Sequence, residues 1–365
     1  MRILILSANT GGGHNSTAKA IAEQFEKQGV TCEIDDCLSY ISERVSDFIS
    51  WGHSYVYRKL PRLFGIGYRY EEKHPPKFIY NRCAKGADGL YGKIGEGFDA
   101  IVCVHSFAGL MMAATRKKYA ISIPVFFVAT DYTCSPGVAE SEAELYLIPH
   151  RMLLGEFIRA GIPADRLQAT GIPVSEAFHQ PMEKRVARQT LGLPQDKKLV
   201  LLGGGSMGAG HLEKEAMRLF ERLSEDTALC VLCGNNQKVY DALCPKANER
   251  LFVISFTDDV ATYMSAADLY ITKPGGLTTT EAVAKRLPIV LINAVPGCET
   301  RNFNFLIGSD VACGAKKWKA ARELVVKELR DADLSEKRAA QMEQFMPQRP
   351  AEEVCRHILA YLTQE

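Results

Sequence analysis

The run Ile271-Thr-Lys-Pro-Gly-Gly-Leu-Thr-Thr-Thr-Glu-Ala282 reads as the end of an apolar strand, a glycine turn and the opening of a helix. Strand, tight turn and helix make the βα unit of a parallel sheet, and ligands of such sheets gather at the carboxyl ends of the strands. Lys273 and Gly275 lie in the turn, and Gly276, Thr278 and Thr279 open the helix. A helix start carries free N–H groups and a partial positive charge, which suit phosphate. Glu281 follows close behind. A carboxylate there can accept two hydrogen bonds from a ribose diol, or it can simply complement the helix dipole.

Outward from this run the same pattern recurs. Strands are expected at Lys198–Leu202, Ala228–Cys233, Leu251–Ser255, Asp268–Thr272 and Pro288–Ile292, with helices between them. The first runs into Gly203-Gly-Gly-Ser-Met-Gly208. Backbone N–H groups around Gly204, Gly205 and Met207, with the Ser206 hydroxyl, can hold a phosphate there, although a glycine turn is as often purely structural. Pro296-Gly-Cys-Glu299-Thr-Arg-Asn302 follows the last strand and carries polar groups suited to sugar hydroxyls, or to an ordinary loop.

The N-terminal half repeats the rhythm, with strands expected at Arg2–Ser7, Thr31–Asp35, Ala100–Val104, Ile123–Ala129 and Glu144–Ile148. Its first strand leads into Ser7-Ala-Asn-Thr-Gly-Gly-Gly-His14, and Ala18, Ile21, Ala22 and Phe25 mark a helix over Asn15–Gln28. The glycine run is neither G-x-G-x-x-G nor a Walker A loop. His14 stands at a helix start, where a neutral imidazole can serve as a general base. A histidine that packs or caps the turn would look the same. The fold expected is α/β, two Rossmann-like doubly wound domains facing a central cleft. Residues 1–175 form the first domain and 176–346 the second, with Gln180–Asp196 as a polar linker. Residues 347–365 form a closing helix, Ala351–Tyr361, that folds back onto the first domain.

Composition narrows the function. The chain has 365 residues, 47% of them hydrophobic, and a net charge of +1, so no global field favours nucleic acid. Its eleven cysteines are scattered and odd in number, which suits reduced thiols in the cytosol. No run approaches the ~18 uninterrupted apolar residues needed to span a bilayer. One segment stands apart. Residues 44–85 hold nine Lys/Arg against three Asp/Glu, together with nine aromatics. Trp51, Tyr55, Arg58, Lys59, Arg62 and Phe64 in this segment combine the two terms that bring a protein to an anionic membrane surface. Aromatics of a small packed core with a basic face would give the same composition.

At these motifs the chain resembles the monogalactosyldiacylglycerol synthase family and its bacterial relatives, the processive diacylglycerol glucosyltransferases. It is more distantly similar to the lipid II-forming N-acetylglucosaminyltransferase. The resemblance implies the GT-B fold, an inverting mechanism, a UDP-hexose as co-substrate and a lipid acceptor met at the cytoplasmic face of the membrane. No Asp-x-Asp motif stands in a plausible position, so neither a metal nor another cofactor is expected. It implies His14 as the base, with Gly12, Gly13, His105 and Asp131 on the acceptor side. It places the donor phosphates at the Ser206 loop, the uracil at Phe256-Thr257-Asp258, the ribose at Glu281 and the sugar at Glu299 and Asn302. Asn9 stands where the plant synthases have an aspartate. A transferase with a non-lipid acceptor, a UDP-sugar 2-epimerase and a non-catalytic UDP-sugar sensor fit the same scaffold.

Overall fold

The computed structural model describes residues 1–9, 12–42, 65–68, 70, 77–205, 212–346 and 349–363. In chain order the first elements are β1 (Arg2–Ser7), α1 (Gly12–Glu26), β2 (Thr31–Asp36), β3 (Ala100–Cys103), α2 (Ser106–Tyr119), β4 (Val125–Val128), β5 (Leu145–Ile148), α3 (Leu154–Arg159) and β6 (Leu167–Ala169). Then come α4 (Lys184–Leu191), β7 (Lys198–Gly203), β8 (Thr227–Leu232), β9 (Leu251–Ile254), α5 (Val260–Ala266) and β10 (Leu269–Thr272). The chain continues through α6 (Gly276–Ala284), β11 (Ile289–Leu291), α7 (Cys298–Gly308), β12 (Cys313–Gly314) and α8 (Pro350–Leu362).

The strands form two six-stranded sheets, ordered β2-β1-β3-β4-β5-β6 and β12-β11-β10-β7-β8-β9. Every strand pairing within them is parallel. The ten expected strands are all present, with ends shifted by one or two residues. Two more, β6 and β12, extend the sheets; with three and two residues they are too short to leave a pattern in sequence.

The chain divides into two compact units. One comprises Met1–Ser175, Val295–Cys298 and Arg349–Glu365, the other Glu176–Ala294 and Glu299–Gln348. In the first, Ile3, Ile5, Val102, Phe126 and Leu147 on one face of the sheet pack on Ile21 and Phe25 of α1 and on Val354, Cys355 and Ile358 of α8. The opposite faces of these strands are buried too, as a parallel sheet covered by helices on both sides requires. Ile358 is fully buried. Its replacement by alanine should therefore cost about 2–4 kcal/mol, a drop readable by thermal or urea denaturation.

The second unit corrects one expectation. Gln180–Asp196 is not a linker, because α4 lies within it and packs on α5. Arg188 of α4 is buried, donates from Nε to the Ala266 carbonyl at 2.9 Å and pairs with Asp268 at 2.7 Å. Asp268 also accepts from the Leu199 N–H at the start of β7. Lysines and arginines made the segment look solvated in sequence, but one of them is spent on closing the amino edge of the sheet.

Candidate active site

In the first sheet β1 lies between β2 and β3, so successive connections leave it in opposite directions and open a crevice at its carboxyl end. The helix expected from Asn15 starts earlier, with Gly12 and Gly13 as its first two residues and His14 as its third. Gly12 and Gly13 thus bring first-turn N–H groups, which lack partners inside a helix, to that crevice. His14 Nδ1 lies 3.0 Å from the Val104 carbonyl oxygen, just past β3. It is also 3.0 Å from Thr130 Oγ1, just past β4. A carbonyl can only accept, so Nδ1 carries the proton and Nε2 keeps its lone pair.

Two further groups neighbour this imidazole. The His105 ring meets it edge-on at 4.5 Å between centroids, and His105 Nδ1 accepts from the Phe107 N–H to cap α2. Asp131 raises the His14 pKa by its charge and the Val104 carbonyl adds to that, but burial outweighs both. His14 is therefore held below the ordinary imidazole value and is neutral near pH 7. Asn9, at the position of the plant aspartate, donates its backbone N–H to Asp36 at 3.3 Å. The carboxylate that acts on His14 comes instead from the loop after β4.

The second sheet has its own reversal, since β7 is flanked by β8 and β10. Gly204 and Gly205 follow β7, and Gly205 has φ of +72°, which favours glycine over any residue with a side chain. At Gly203 a Cβ would stand 2.7 Å from the Tyr270 hydroxyl of β10, so the backbone there can approach only as glycine. Across the crevice, α6 starts at Gly276 with Gly275 as its N-cap, and no side chain caps it. Its first-turn N–H groups, including that of Thr278, thus remain available for an anion.

Glu281 sits in the second turn of α6, beyond the reach of a first-turn dipole effect. The simple dipole role weighed from sequence is set aside on that ground. Its half-buried carboxyl is pushed up to about 7 by desolvation alone. Lys273 pairs with Glu299 at 3.1 Å, and both side chains are largely buried. Asn302, fully buried on α7, donates from Nδ2 to the Pro274 carbonyl at 3.0 Å. Past β9, Phe256 is 52% exposed and Thr257 half-buried, its Oγ1 accepting from the Asp259 N–H.

Residues 14–174 match the monogalactosyldiacylglycerol synthase family model, and residues 199–352 match the C-terminal domain of glycosyltransferase family 28. The chain thus joins a monogalactosyldiacylglycerol synthase domain to a family 28 glycosyltransferase C-terminal domain. The processive diacylglycerol β-glucosyltransferase of Staphylococcus carnosus (strain TM300) is 24% identical over 374 residues, covering 99% of this chain and 93% of the relative. Among solved structures, Acinetobacter baumannii MurG matches with a TM-score of 0.63 at 18% identity, over 100% of this chain and 99% of that one. The Neisseria meningitidis UDP-GlcNAc 2-epimerase, solved with UDP-GlcNAc, matches with a TM-score of 0.62 at 12% identity over the full length of both chains. These structures share the fold, which is GT-B.

In this glycosyltransferase the structure gathers His14, His105 and Asp131 at one crevice, with Gly12 and Gly13 beside them. Gly204, Gly205, Lys273, Gly275, Gly276, Thr278, Glu281, Glu299 and Asn302 stand on the loops and helices that follow β7, β10 and β11 of the other sheet. Ser206 and Met207 lie outside the described residues, as do Trp51, Tyr55, Arg58, Lys59, Arg62 and Phe64. Three contributors were missed by sequence reasoning. Thr130 was within reach, being next to Asp131. The Val104 carbonyl is backbone and leaves no sequence signal, and Tyr270 read as an ordinary strand residue.

Proposed function

We propose that the protein carries a hexose from a UDP-hexose to the free hydroxyl of diacylglycerol by one inverting displacement. The observation that carries this reading is the bond from His14 Nδ1 to Val104, which leaves Nε2 as a proton acceptor. Nε2 takes the proton of the acceptor hydroxyl as that oxygen attacks the anomeric carbon. The bond from that carbon to the diphosphate breaks, UDP departs with the electron pair, and an α-linked donor becomes a β-glycolipid. Diacylglycerol and hexose are the acceptor and sugar class carried in the relative's name.

The donor falls to the second unit. Glu281 takes the ribose diol, and Phe256 and Thr257 take the uracil. The first-turn amides of α6 and the stretch Gly204-Gly205-Ser206-Met207 hold the diphosphate. Lys273, oriented by Glu299, reaches the same end of the donor, and Asn302 braces the loop at Pro274. Fixed N–H donors and a lysine can do the work of a divalent ion at a leaving diphosphate, so the reaction runs without one. EDTA should leave turnover unchanged; loss with EDTA and rescue by magnesium would overturn this.

The deciding experiment incubates the protein with diacylglycerol vesicles and either UDP-glucose or UDP-galactose, followed by mass analysis of the lipid. A hexosyl-diacylglycerol is expected. A UDP-sugar epimerised at carbon 2, with no glycolipid, would favour the epimerase reading that the Neisseria fold neighbour keeps in view.

Among the described residues no helix is long and apolar enough to cross a membrane. The protein works peripherally at the cytoplasmic, anionic face of the bilayer and takes no nucleic acid. The basic and aromatic segment 44–85 supplies contact, each surface Lys or Arg adding about 1 kcal/mol. Neutralising Arg58, Lys59 and Arg62 should lower sedimentation with anionic vesicles, and added salt should mimic the change by screening. UDP binding should stay normal in both cases. Equal sedimentation of variant and wild type would return the segment to a packed role.

A further inference from the structure

The segment Arg151–Arg159, a 3-10 turn running into α3, begins just past Pro149 and His150 at the carboxyl end of β5. Its inward face is settled: Leu153 and Phe157 are 5% and 0% exposed. The opposite face carries Met152, 64% exposed, and Ile158, 46% exposed, with Arg151 and Arg159 also exposed around Gly155. The Arg159 guanidinium lies over that glycine, since a Cβ built on Gly155 would stand 3.3 Å from Arg159 Nη1. Between residues 151 and 162 the only acid is Glu156. It turns inward, accepting from the Cys134 N–H at 2.9 Å and from the Thr133 hydroxyl.

Single exposed apolar residues need no explanation. Two long ones on one helix face, bracketed by arginines and with no outward-facing acid on the segment itself, have a specific chemistry. Apolar side chains enter the acyl boundary while guanidinium groups meet anionic headgroups. The location adds a second reason. β3, β4 and β5 are consecutive in the sheet, and His105, Thr130, Asp131 and this helix all follow their carboxyl ends. Glu156 moreover grips the loop that carries Thr130 and Asp131, the partners of His14. A water-insoluble acceptor can reach His14 only if the bilayer meets this same edge.

We propose that the outward face of Arg151–Arg159, made of Met152, Ile158, Arg151 and Arg159, is a bilayer-contact surface that docks on anionic lipid beside the base. The proposal rests on the lipid-acceptor reading above. Its test compares wild type with Met152→Glu/Ile158→Glu and Arg151→Gln/Arg159→Gln in sedimentation with phosphatidylcholine vesicles, with and without phosphatidylglycerol. The glutamate pair should lower partitioning onto the phosphatidylglycerol vesicles about tenfold or more. The glutamine pair should lower it only where phosphatidylglycerol is present. Both variants should keep the wild-type rate on a short-chain diacylglycerol dissolved in buffer. Unchanged sedimentation of both variants overturns the proposal, as does failure of wild type to sediment, or a switch in oligomeric state in place of lost vesicle binding. If wild type glycosylates neither acceptor, the reaction reading fails, and sedimentation still decides the surface on its own.

Discussion

Replacing His14 with alanine is expected to lower turnover by about 10²–10⁴, the usual span for a positioned general base. The dissociation constant for UDP should barely move, because the groups proposed to hold the donor stand on the other unit. The pH profile gives a sharper check. A base works when unprotonated, and burial holds the His14 pKa below its ordinary 6.5. The acid limb of kcat/KM should therefore fall at a pH below 6.5. Asp131→Asn removes a charge that raises this pKa, so the limb should move lower still, with a smaller plateau from the weaker base. Near-normal turnover of His14→Ala, or an Asp131→Asn limb that moves upward, would sink the assignment.

Glu281→Ala should weaken UDP binding by about 1.5–3 kcal/mol, the range for hydrogen bonds to a charged group. By calorimetry that is roughly a 10- to 150-fold rise in the dissociation constant. Glu281→Gln separates charge from shape. The wild-type carboxyl sits near 7, and only its ionised form accepts both ribose protons. Uridine, which has no phosphate to titrate, should thus bind wild type more tightly at pH 8 than at pH 6, and the glutamine variant equally at both. Stability runs the other way. A carboxyl whose folded value lies above its unfolded one favours the fold at low pH and loses that contribution as pH rises through about 7. Without ligand, Glu281→Gln should therefore be more stable than wild type at pH 8, by up to about 3 kcal/mol, with the difference gone by pH 4. If pH leaves both uridine affinity and the stability difference unchanged, Glu281 is a bystander.

How much of this was legible in sequence follows from the range of the forces involved. Glycine turns after apolar strands are local, so the turns at His14, Gly203 and Gly275 were readable without a structure. The long strands were readable for the same reason, while β6 and β12 were too short to show a period. Charge misled the reading of Gln180–Asp196, because the burial of Arg188 depends on Asp268, eighty positions away. The tautomer of His14 was out of reach altogether. It is set by a carbonyl ninety residues on, and every residue type has one. Asp131 was visible as a residue but not as a neighbour of His14, since only the pairing of β3 with β1 and β4 brings the two loops together.

The return of α8 to the first sheet fixes an order of events during synthesis. Ile21 and Phe25 leave the ribosome long before Val354, Cys355 and Ile358, which cover them. The second unit is interrupted only by Val295–Cys298, so it can close while the first still shows an uncovered apolar face. Until α8 emerges, then, the first unit is the unfinished one. It is the part a nascent-chain chaperone has to shield, and cutting the gene at Ser175 would yield a fragment that stays in that state.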